Sequence, residues 1–237
     1  MKILVIMPTF NEAGNLDHAV EELSKYNSEV DLLIVDDDSP DGTGALADEI
    51  ASRNSRIKVL HRKEKQGLGA AYIAGFRFAF DSGYDYIVEM DADGSHRAED
   101  LPKLIALCSS NDLVIGSRYV NGGRTENWPL HRQWLSKSGN YFAKLMLGTK
   151  VNDMTAGFRI FSVPFLKTID LDSINARGYS FQIEMAYRTL RQGGRIAEVP
   201  IVFIEREIGE SKMSRDIVAE ALLLMLKFGV KRLFRRN

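Results

Sequence analysis

The sequence predicts an α/β fold, a mostly parallel sheet with helices on both faces. Three observations predict it. Short apolar runs alternate with longer segments whose apolar residues recur at helical spacing. No repeat, low-complexity tract or Pro/Gly/Ser-rich linker divides the 237 residues. Acidic residues gather just past the apolar runs, at the edge where an open parallel sheet takes its ligands.

In order along the chain, the runs at 3–7, 32–35, 57–60, 86–90 and 113–115 are short and mostly apolar and read as buried strands. Segments 15–26, 44–53, 68–80 and 99–108 lie between or beside them and read as helices with one apolar stripe. Regularity stops over 119–131, where Asn121, Gly122-Gly123 and Trp128-Pro129 predict a loop long enough to be a mobile functional segment. A helix at 130–147, a strand at 158–162, a helix at 181–191 and a strand at 197–204 follow. The last element, from 217 to about 234, reads as an apolar-rich helix ending in a basic tail.

Composition bounds the class. Thirty-one basic residues against 32 acidic ones leave a formal charge of −1, and 45% hydrophobic with 27% charged residues excludes a disordered chain. The single cysteine, Cys108, excludes an internal disulfide and a CxxC zinc site, and fits a reducing compartment. The longest unbroken apolar run, 221–226, falls far short of the ~20 residues a membrane span needs. The N-terminal residues enter a strand pattern with no small-residue cleavage site, which predicts no signal peptide and a protein kept on the cytosolic side of a membrane.

Past the first, second and fourth strands stand Pro8-Thr9-Phe10-Asn11-Glu12, Asp36-Asp37-Asp38-Ser39-Pro40-Asp41 and Asp91-Ala92-Asp93. Packing carboxylates together costs stability, whereas a diphosphate held through a divalent cation gives them a purpose. Two carboxylates at i and i+2 beyond a strand suit Mg²⁺ or Mn²⁺, hard ions that keep positions open for phosphate oxygens. The competing reading of each is an acidic turn that caps the next helix. The first strand leads to no G-x-G-x-x-G and the chain holds no G-x-x-x-x-G-K-[ST], which disfavours a nicotinamide cofactor and excludes a P-loop. His18, His61, His96 and His131 are scattered, so no nucleophile–base set is evident; His96, beside the acidic edge, reads as a supporting hydrogen-bonder. Arg118, Arg132, Arg159, Arg206 and Lys212 offer phosphate partners, guanidinium above all.

These strings, with Gly67-Leu68-Gly69-Ala70-Ala71-Tyr72, Asp91-Ala92-Asp93-Gly94-Ser95-His96, Gly116-Ser117-Arg118-Tyr119, Gly178-Tyr179-Ser180-Phe181-Gln182-Ile183-Glu184 and Gly209-Glu210-Ser211-Lys212, resemble family-2 GT-A glycosyltransferases. Within that family they are most similar to the dolichol- and polyprenol-phosphate mannosyltransferases. The resemblance runs in the family's order from residue 3 to about 217. It implies a GT-A domain over 1–212 with a C-terminal amphipathic helix and basic tail over 213–237. It implies that Pro8, Phe10, Glu12 and Asp37 hold the guanosine of GDP-mannose, and that Asp91 and Asp93, with Ala92 between them, hold Mg²⁺ or Mn²⁺ against the diphosphate. Phe10 stands where Tyr is frequent, losing the hydroxyl but not the ring. Ser95 falls where some relatives place a metal-coordinating Gln, and its shorter hydroxyl would reach the ion through water. Arg118, Arg132, Arg206 and Lys212 would neutralise donor diphosphate and acceptor phosphate, with Asp93, Arg118 and Lys212 at the reaction centre.

The implied chemistry needs no triad. A lipid phosphate monoester has a second pKa near ~6, so it attacks as a dianion with no proton to surrender. In-line attack on the α-linked donor inverts the centre and gives a β-mannosyl phosphate lipid. The same fold could take UDP-glucose or another nucleotide sugar, and a non-catalytic nucleotide-sugar sensor is the reading from another class.

The tail supplies a membrane expectation. Five cations (Lys227, Lys231, Arg232, Arg235 and Arg236) and no acidic residue follow the apolar run at 221–226, a pattern suited to an anionic membrane surface. A core helix with a solvated end fits the same pattern nearly as well. The cluster is short and accompanied by no RNA-binding motif, so no nucleic-acid partner is expected. The expected partners are therefore GDP-mannose, a polyprenyl phosphate, the cytoplasmic face of a membrane and, as an open option, a membrane-anchoring protein subunit.

Overall fold

A computed structural model describes residues 1–174, 176, 178–205 and 215–234; side chains at 215–217 and 233–234 are outside that description. The β-strands are β1 Ile3–Thr9, β2 Asp31–Asp36, β3 Ile57–His61, β4 Tyr86–Glu89, β5 Leu113–Ser117, β6 Arg124–Glu126, β7 Arg159–Ser162, β8 Ile196–Pro200 and β9 Val202–Ile204. The helices are α1 Leu16–Tyr26, α2 Thr43–Arg53, α3 Leu68–Asp81, α4 Leu101–Cys108, α5 Leu130–Leu147, α6 Val163–Leu166, α7 Tyr179–Arg191 and α8 Arg215–Phe234, with a 3₁₀ turn at Ala98–Asp100.

Seven strands form one sheet in the order β3-β2-β1-β4-β7-β5-β8. All neighbours are parallel except β7, which runs antiparallel between β4 and β5. The sheet is therefore mostly parallel, as the alternation of elements predicts. Alternate side chains of each central strand enter two different cores. Leu4 and Ile6 of β1, with Leu33 and Val35 of β2, face α3, α7 and α8. Val5 and Met7, with Leu32 and Ile34, face α1, α2 and α4. Burial on both sides explains why these strands are continuously apolar, each such side chain contributing about 1.5–3 kcal/mol.

Local chemistry sets the close contacts. Gly75 lets α3 lie directly on β1, since a Cβ there would come within 2.7 Å of the Ile6 side chain. Gly148 ends α5 in a left-handed conformation at φ 63°, and the Arg232 guanidinium of α8 occupies the space a side chain would fill. Helix α8 packs against α5 and α7, burying Ala221, Met225 and Phe228, with Phe228 stacked on Tyr187.

Two elements differ from the sequence reading. The single strand expected at 197–204 is two, β8 in the main sheet and β9 in a separate two-stranded sheet with β6. Pro200 has no N–H to continue a ladder, and Ile201 turns the chain by donating to Ser117 O while accepting from Arg124 N. The irregular stretch at 119–131 is likewise not all loop. It contains β6, paired in parallel with β9, and its Trp128 is buried against Phe203 of β9.

Candidate active site

The carboxyl ends of β1, β2 and β4 meet along one edge. Of the acidic residues there, several hold the backbone. Asp36 accepts from the Thr9 hydroxyl at 3.0 Å, from the Ser39 hydroxyl at 2.6 Å and from Ser39 N at 3.1 Å. Asp41 accepts from Thr43 N at 3.0 Å and from the Thr43 hydroxyl, and draws in Ala13 N at 3.2 Å. The turn-and-cap reading therefore fits Asp36 and Asp41. Asp37 is different: its buried carboxylate faces Arg62, which donates at 2.6 Å. Burial pushes the Asp37 carboxyl up, and the Arg62 charge pulls against that rise. Glu12 is buried, accepts from Asn15 Nδ2 at 2.8 Å, and is held through its N–H on the Thr43 hydroxyl. Pro8 and Phe10 are half-buried beside it, with Lys65 Nζ 3.7 Å from the centre of the Phe10 ring.

Beyond β4 the chain makes a tight acidic turn. Gly94 takes φ 74°, a conformation unfavourable for a side chain, and Ser95 N donates back to Asp93 Oδ1 at 3.0 Å. Asp91 is half-buried, whereas Ala92 and Asp93 are buried rather than on an open edge. His96 fixes the turn from inside. Its Nδ1 accepts from Asp91 N at 3.0 Å, while its ring stacks on Phe158 at 5.2 Å and meets Phe203 edge-on. The supporting role expected for His96 is what this geometry provides. Tyr72 donates to Asp91 Oδ1 at 3.3 Å; burial and the Asp91 charge raise its phenol well above the ordinary range, which keeps it a donor.

The turn suits a hard divalent ion. Asp91 and Asp93 supply two carboxylates, and the Ser95 hydroxyl beneath them is buried with no hydrogen-bond partner among the described residues. No cluster of three His, Cys, Asp or Glu side chains forms a complete ligand shell among the described residues. Two carboxylates with open positions for phosphate oxygens match Mg²⁺ or Mn²⁺ shared with a diphosphate.

Arg118 follows β5 and Arg132 stands in the first turn of α5. Both are buried and share the Trp128 ring, at 5.4 and 4.2 Å from its centre. Arg118 is held by Asp153 and by the Thr155 hydroxyl at 2.8 Å; Arg132 pairs with Glu205. Burial disfavours the Arg118 charge, yet Asp153 more than offsets this and raises its pKa. Together these arginines line a cavity of about 460 Å³ whose walls also include Leu135 and Phe142 of α5, Ile183 of α7, and Leu222 and Met225 of α8, with the Ser136, Ser138 and Thr155 hydroxyls among its polar lining. No acidic residue lines it among the described residues. Arg206 and Lys212 lie outside the described residues.

Three charged residues packed at this edge escaped sequence reasoning. Asp153 and Arg62 are ordinary charged residues in the sequence, and only folding brings them to Arg118 and Asp37. Glu89, inside an apolar run, is fully buried; burial pushes its carboxyl up to about 7, while Arg159 and Gln182 pull it down. Arg159 itself points inward rather than to a phosphate, donating to the carbonyls of Met154, Ala156 and Gln182. The one available signal for Glu89 was a charged residue where strand burial leaves no exposed face.

A mostly parallel sheet with an Asp-Ala-Asp turn past a central strand is the GT-A arrangement of glycosyltransferases. The chain belongs to glycosyltransferase family 2, whose profile, Glycosyl transferase family 2, matches residues 4–170. It is 50% identical over 230 residues to the undecaprenyl-phosphate mannosyltransferase of Micrococcus luteus, covering 97% of this chain and 95% of that one. It is 47% identical over 232 residues to the polyprenol monophosphomannose synthase of Mycolicibacterium smegmatis, covering 97% and 88%. Among solved structures, glucosyl-3-phosphoglycerate synthase from Mycobacterium tuberculosis with Mn²⁺, UDP-glucose and glycerol 3-phosphate aligns at TM-score 0.68 and 20% identity, covering 94% of this chain and 80% of that one. A mannosyltransferase from Pyrobaculum calidifontis with GDP-mannose and Mn²⁺ aligns at 0.59 and 15%, covering 99% and 74%. At these identities the structural likeness carries the fold alone.

Proposed function

We propose that the chain is an inverting, divalent-metal-dependent mannosyltransferase that moves mannose from GDP-mannose to a polyprenyl phosphate at the cytoplasmic face of a membrane. The observation that carries this reading is the cavity between α5, α7 and α8, which combines apolar walls with Arg118 and Arg132. A prenyl phosphate needs both in one place, a trough for the chain and cations for the headgroup. The two relatives named for mannosyl transfer to undecaprenyl or polyprenol phosphate support the same sugar and acceptor.

In this reading Pro8, Phe10, Glu12 and Asp37 hold the guanosine. Asp91 and Asp93, with Ala92 between them and Ser95 behind, hold Mg²⁺ or Mn²⁺. When bound, the ion supplies Lewis-acid stabilisation of the departing diphosphate. Arg118, Arg132, Arg206 and Lys212 reduce the repulsion between two anionic substrates and orient the acceptor for in-line attack. Asp153 and Glu205 keep Arg118 and Arg132 in place, so the cations are prearranged instead of being drawn from solvent.

Among the described residues no helix is long and apolar enough to cross a membrane. Contact with lipid is instead assigned to a surface. Leu130, Trp134, Tyr141 and Leu145 share one face of α5, with Trp134 74% exposed, and Leu222, Leu223, Leu226 and Val230 share one face of α8. Leu135, Tyr141 and Leu222 are exposed and also line the cavity, so the cavity opens onto this apolar face. In this reading the catalytic domain spans 1–212, and residues 213–237 add the C-terminal helix and basic tail that face the membrane together with the exposed side of α5.

The test is transfer to polyprenyl phosphate with GDP-mannose or UDP-glucose as donor, with and without chelator, following the lipid product by mass. A mannosyl-phosphate lipid that disappears with chelator is expected. Transfer from UDP-glucose alone would overturn the donor assignment, and metal-dependent GDP-mannose binding without turnover would favour a sensor.

A further inference from the structure

Three adjacent parallel strands end in register, with Thr9 of β1 opposite Asp36 of β2 and Asp36 opposite His61 of β3. The next residue of each is Phe10, Asp37 and Arg62. Backbone bonds carry the alignment past the strand ends, from Asp37 N to Thr9 O at 3.1 Å and from Arg62 N to Asp36 O at 2.8 Å. A ring, a carboxylate and a guanidinium therefore stand in a row at the edge proposed to hold the nucleoside.

The row is built rather than incidental. Arg62 Nη1 donates to Asp37 Oδ1 at 2.6 Å, with side chains 13% and 6% exposed. Arg62 Nη2 donates to Gln66 Oε1 at 3.0 Å, and Gln66 Nε2 donates onward to Glu64 at 2.7 Å. The guanidinium is thus braced on both sides. With five N–H donors in a rigid fork, it retains donors to offer a ligand. Lys65, from the same connection, lies over the Phe10 ring.

A donor fork beside a carboxylate is complementary to one nucleobase edge more than to the others. Guanine presents the O6 acceptor next to the N1–H and 2-amino donors, so O6 can meet the fork while both donors meet the carboxylate. Adenine reverses this order, with a 6-amino donor beside the N1 acceptor. Uracil matches at O4 and N3–H but turns its O2 acceptor toward the carboxylate.

We propose that Arg62 is a specificity residue that reads guanine O6 while Asp37 reads the two adjacent donors. This deepens the GDP-mannose reading and rests on it. Nothing in the sequence marks Arg62, because its partner lies 25 positions away on another strand.

The experiment is calorimetric binding of GDP, 6-thio-GDP and UDP to the full chain in Mn²⁺, without lipid. Replacing O6 by sulfur weakens that acceptor alone and leaves N1–H and the 2-amino group intact. Wild type should prefer GDP over 6-thio-GDP by about ten-fold, the scale of a hydrogen bond to a charged group. Arg62→Met should reduce the preference to within about two-fold while weakening GDP itself. Arg62→Lys, which keeps a cation beside Asp37 without the fork, reads the same ratio should the Met variant fail to fold, and should fall between the two. An unchanged ratio in a folded variant overturns the proposal, because Arg62 would then only support Asp37. Equal binding of GDP and 6-thio-GDP by wild type overturns it as well. Preference of wild type for UDP over GDP is a distinct result that removes the GDP-mannose reading itself.

Discussion

Arg118 and Asp153 are joined by two parallel hydrogen bonds of 2.7 Å, Nε to Oδ2 and Nη2 to Oδ1, with side chains only 4% and 0% exposed. Asp153 also accepts from Arg118 N at 3.0 Å, so one carboxylate holds both the backbone after β5 and the guanidinium it carries. Pairing at this depth keeps Arg118 charged beside an apolar cavity. A surface arginine in the same place would lose orientation between turnovers.

Asp153→Asn should therefore cost about 3–5 kcal/mol, because it strands a buried guanidinium. It should also flatten the acid arm of stability. Burial alone would raise the Asp153 carboxyl, but Arg118 holds it below its ordinary 3.8. A depressed folded pKa gives stability that is present above about pH 4 and lost as pH falls through the folded value. Urea unfolding of both proteins at pH 7 and pH 3 should show the gap narrowing in acid. A gap of equal size at both pH values would exclude Asp153 as its source.

Asp91→Ala and Asp93→Ala should each abolish Mn²⁺-dependent donor binding and lower transfer by at least ~10²-fold, the scale of a lost electrostatic stabiliser. Melting temperature should change little for Asp91→Ala, whose side chain is half-exposed, and more for Asp93→Ala, whose carboxylate holds Ser95 N. Normal turnover of Asp93→Ala in Mn²⁺ would remove the metal role.

For the apolar face, Trp134→Asp combined with Leu223→Asp should weaken co-sedimentation with anionic vesicles while leaving soluble GDP binding intact. Both residues are among the most exposed apolar side chains, at 74% and 68%, so the fold has little stake in them. Raising salt should weaken attachment of the unmodified protein in the same direction, since each cation near the surface contributes about 1 kcal/mol. Unchanged sedimentation would return this face to solvent.

Lys212 follows Gly209-Glu210-Ser211, just ahead of α8. Lys212→Ala should reduce transfer by about 10²-fold, because the acceptor phosphate would approach the donor diphosphate with one cation fewer. Single-turnover measurement at saturating donor isolates this step, and a rate equal to that of the unmodified protein would place Lys212 outside the reaction.

Where the signal is local, the sequence reading and the structure agree closely. The helix expected at 130–147 is α5 to the residue, and the first five strands appear within two residues of their expected ends. The exception at 197–204 arises because apolar periodicity records burial and not which sheet does the burying, so β8 and β9 read as one run. The same limit hid β6, whose Arg124-Thr125-Glu126 has no strand signature and pairs only because β9 lies alongside.

The sequence by itself determined the layered α/β plan, the acidic edge and the family, since these rest on periodicity and on motifs of neighbouring residues. Tertiary structure alone decided what each charge does. Asp36 and Asp41 went to backbone turns and Asp37 to Arg62, while Arg159 went to buried carbonyls and Arg118 to Asp153. The physical reason is distance along the chain. A capping carboxylate bonds within a few residues of itself, whereas Arg118 and Asp153 lie 35 positions apart and meet only after β5 and the chain approaching β7 are packed together.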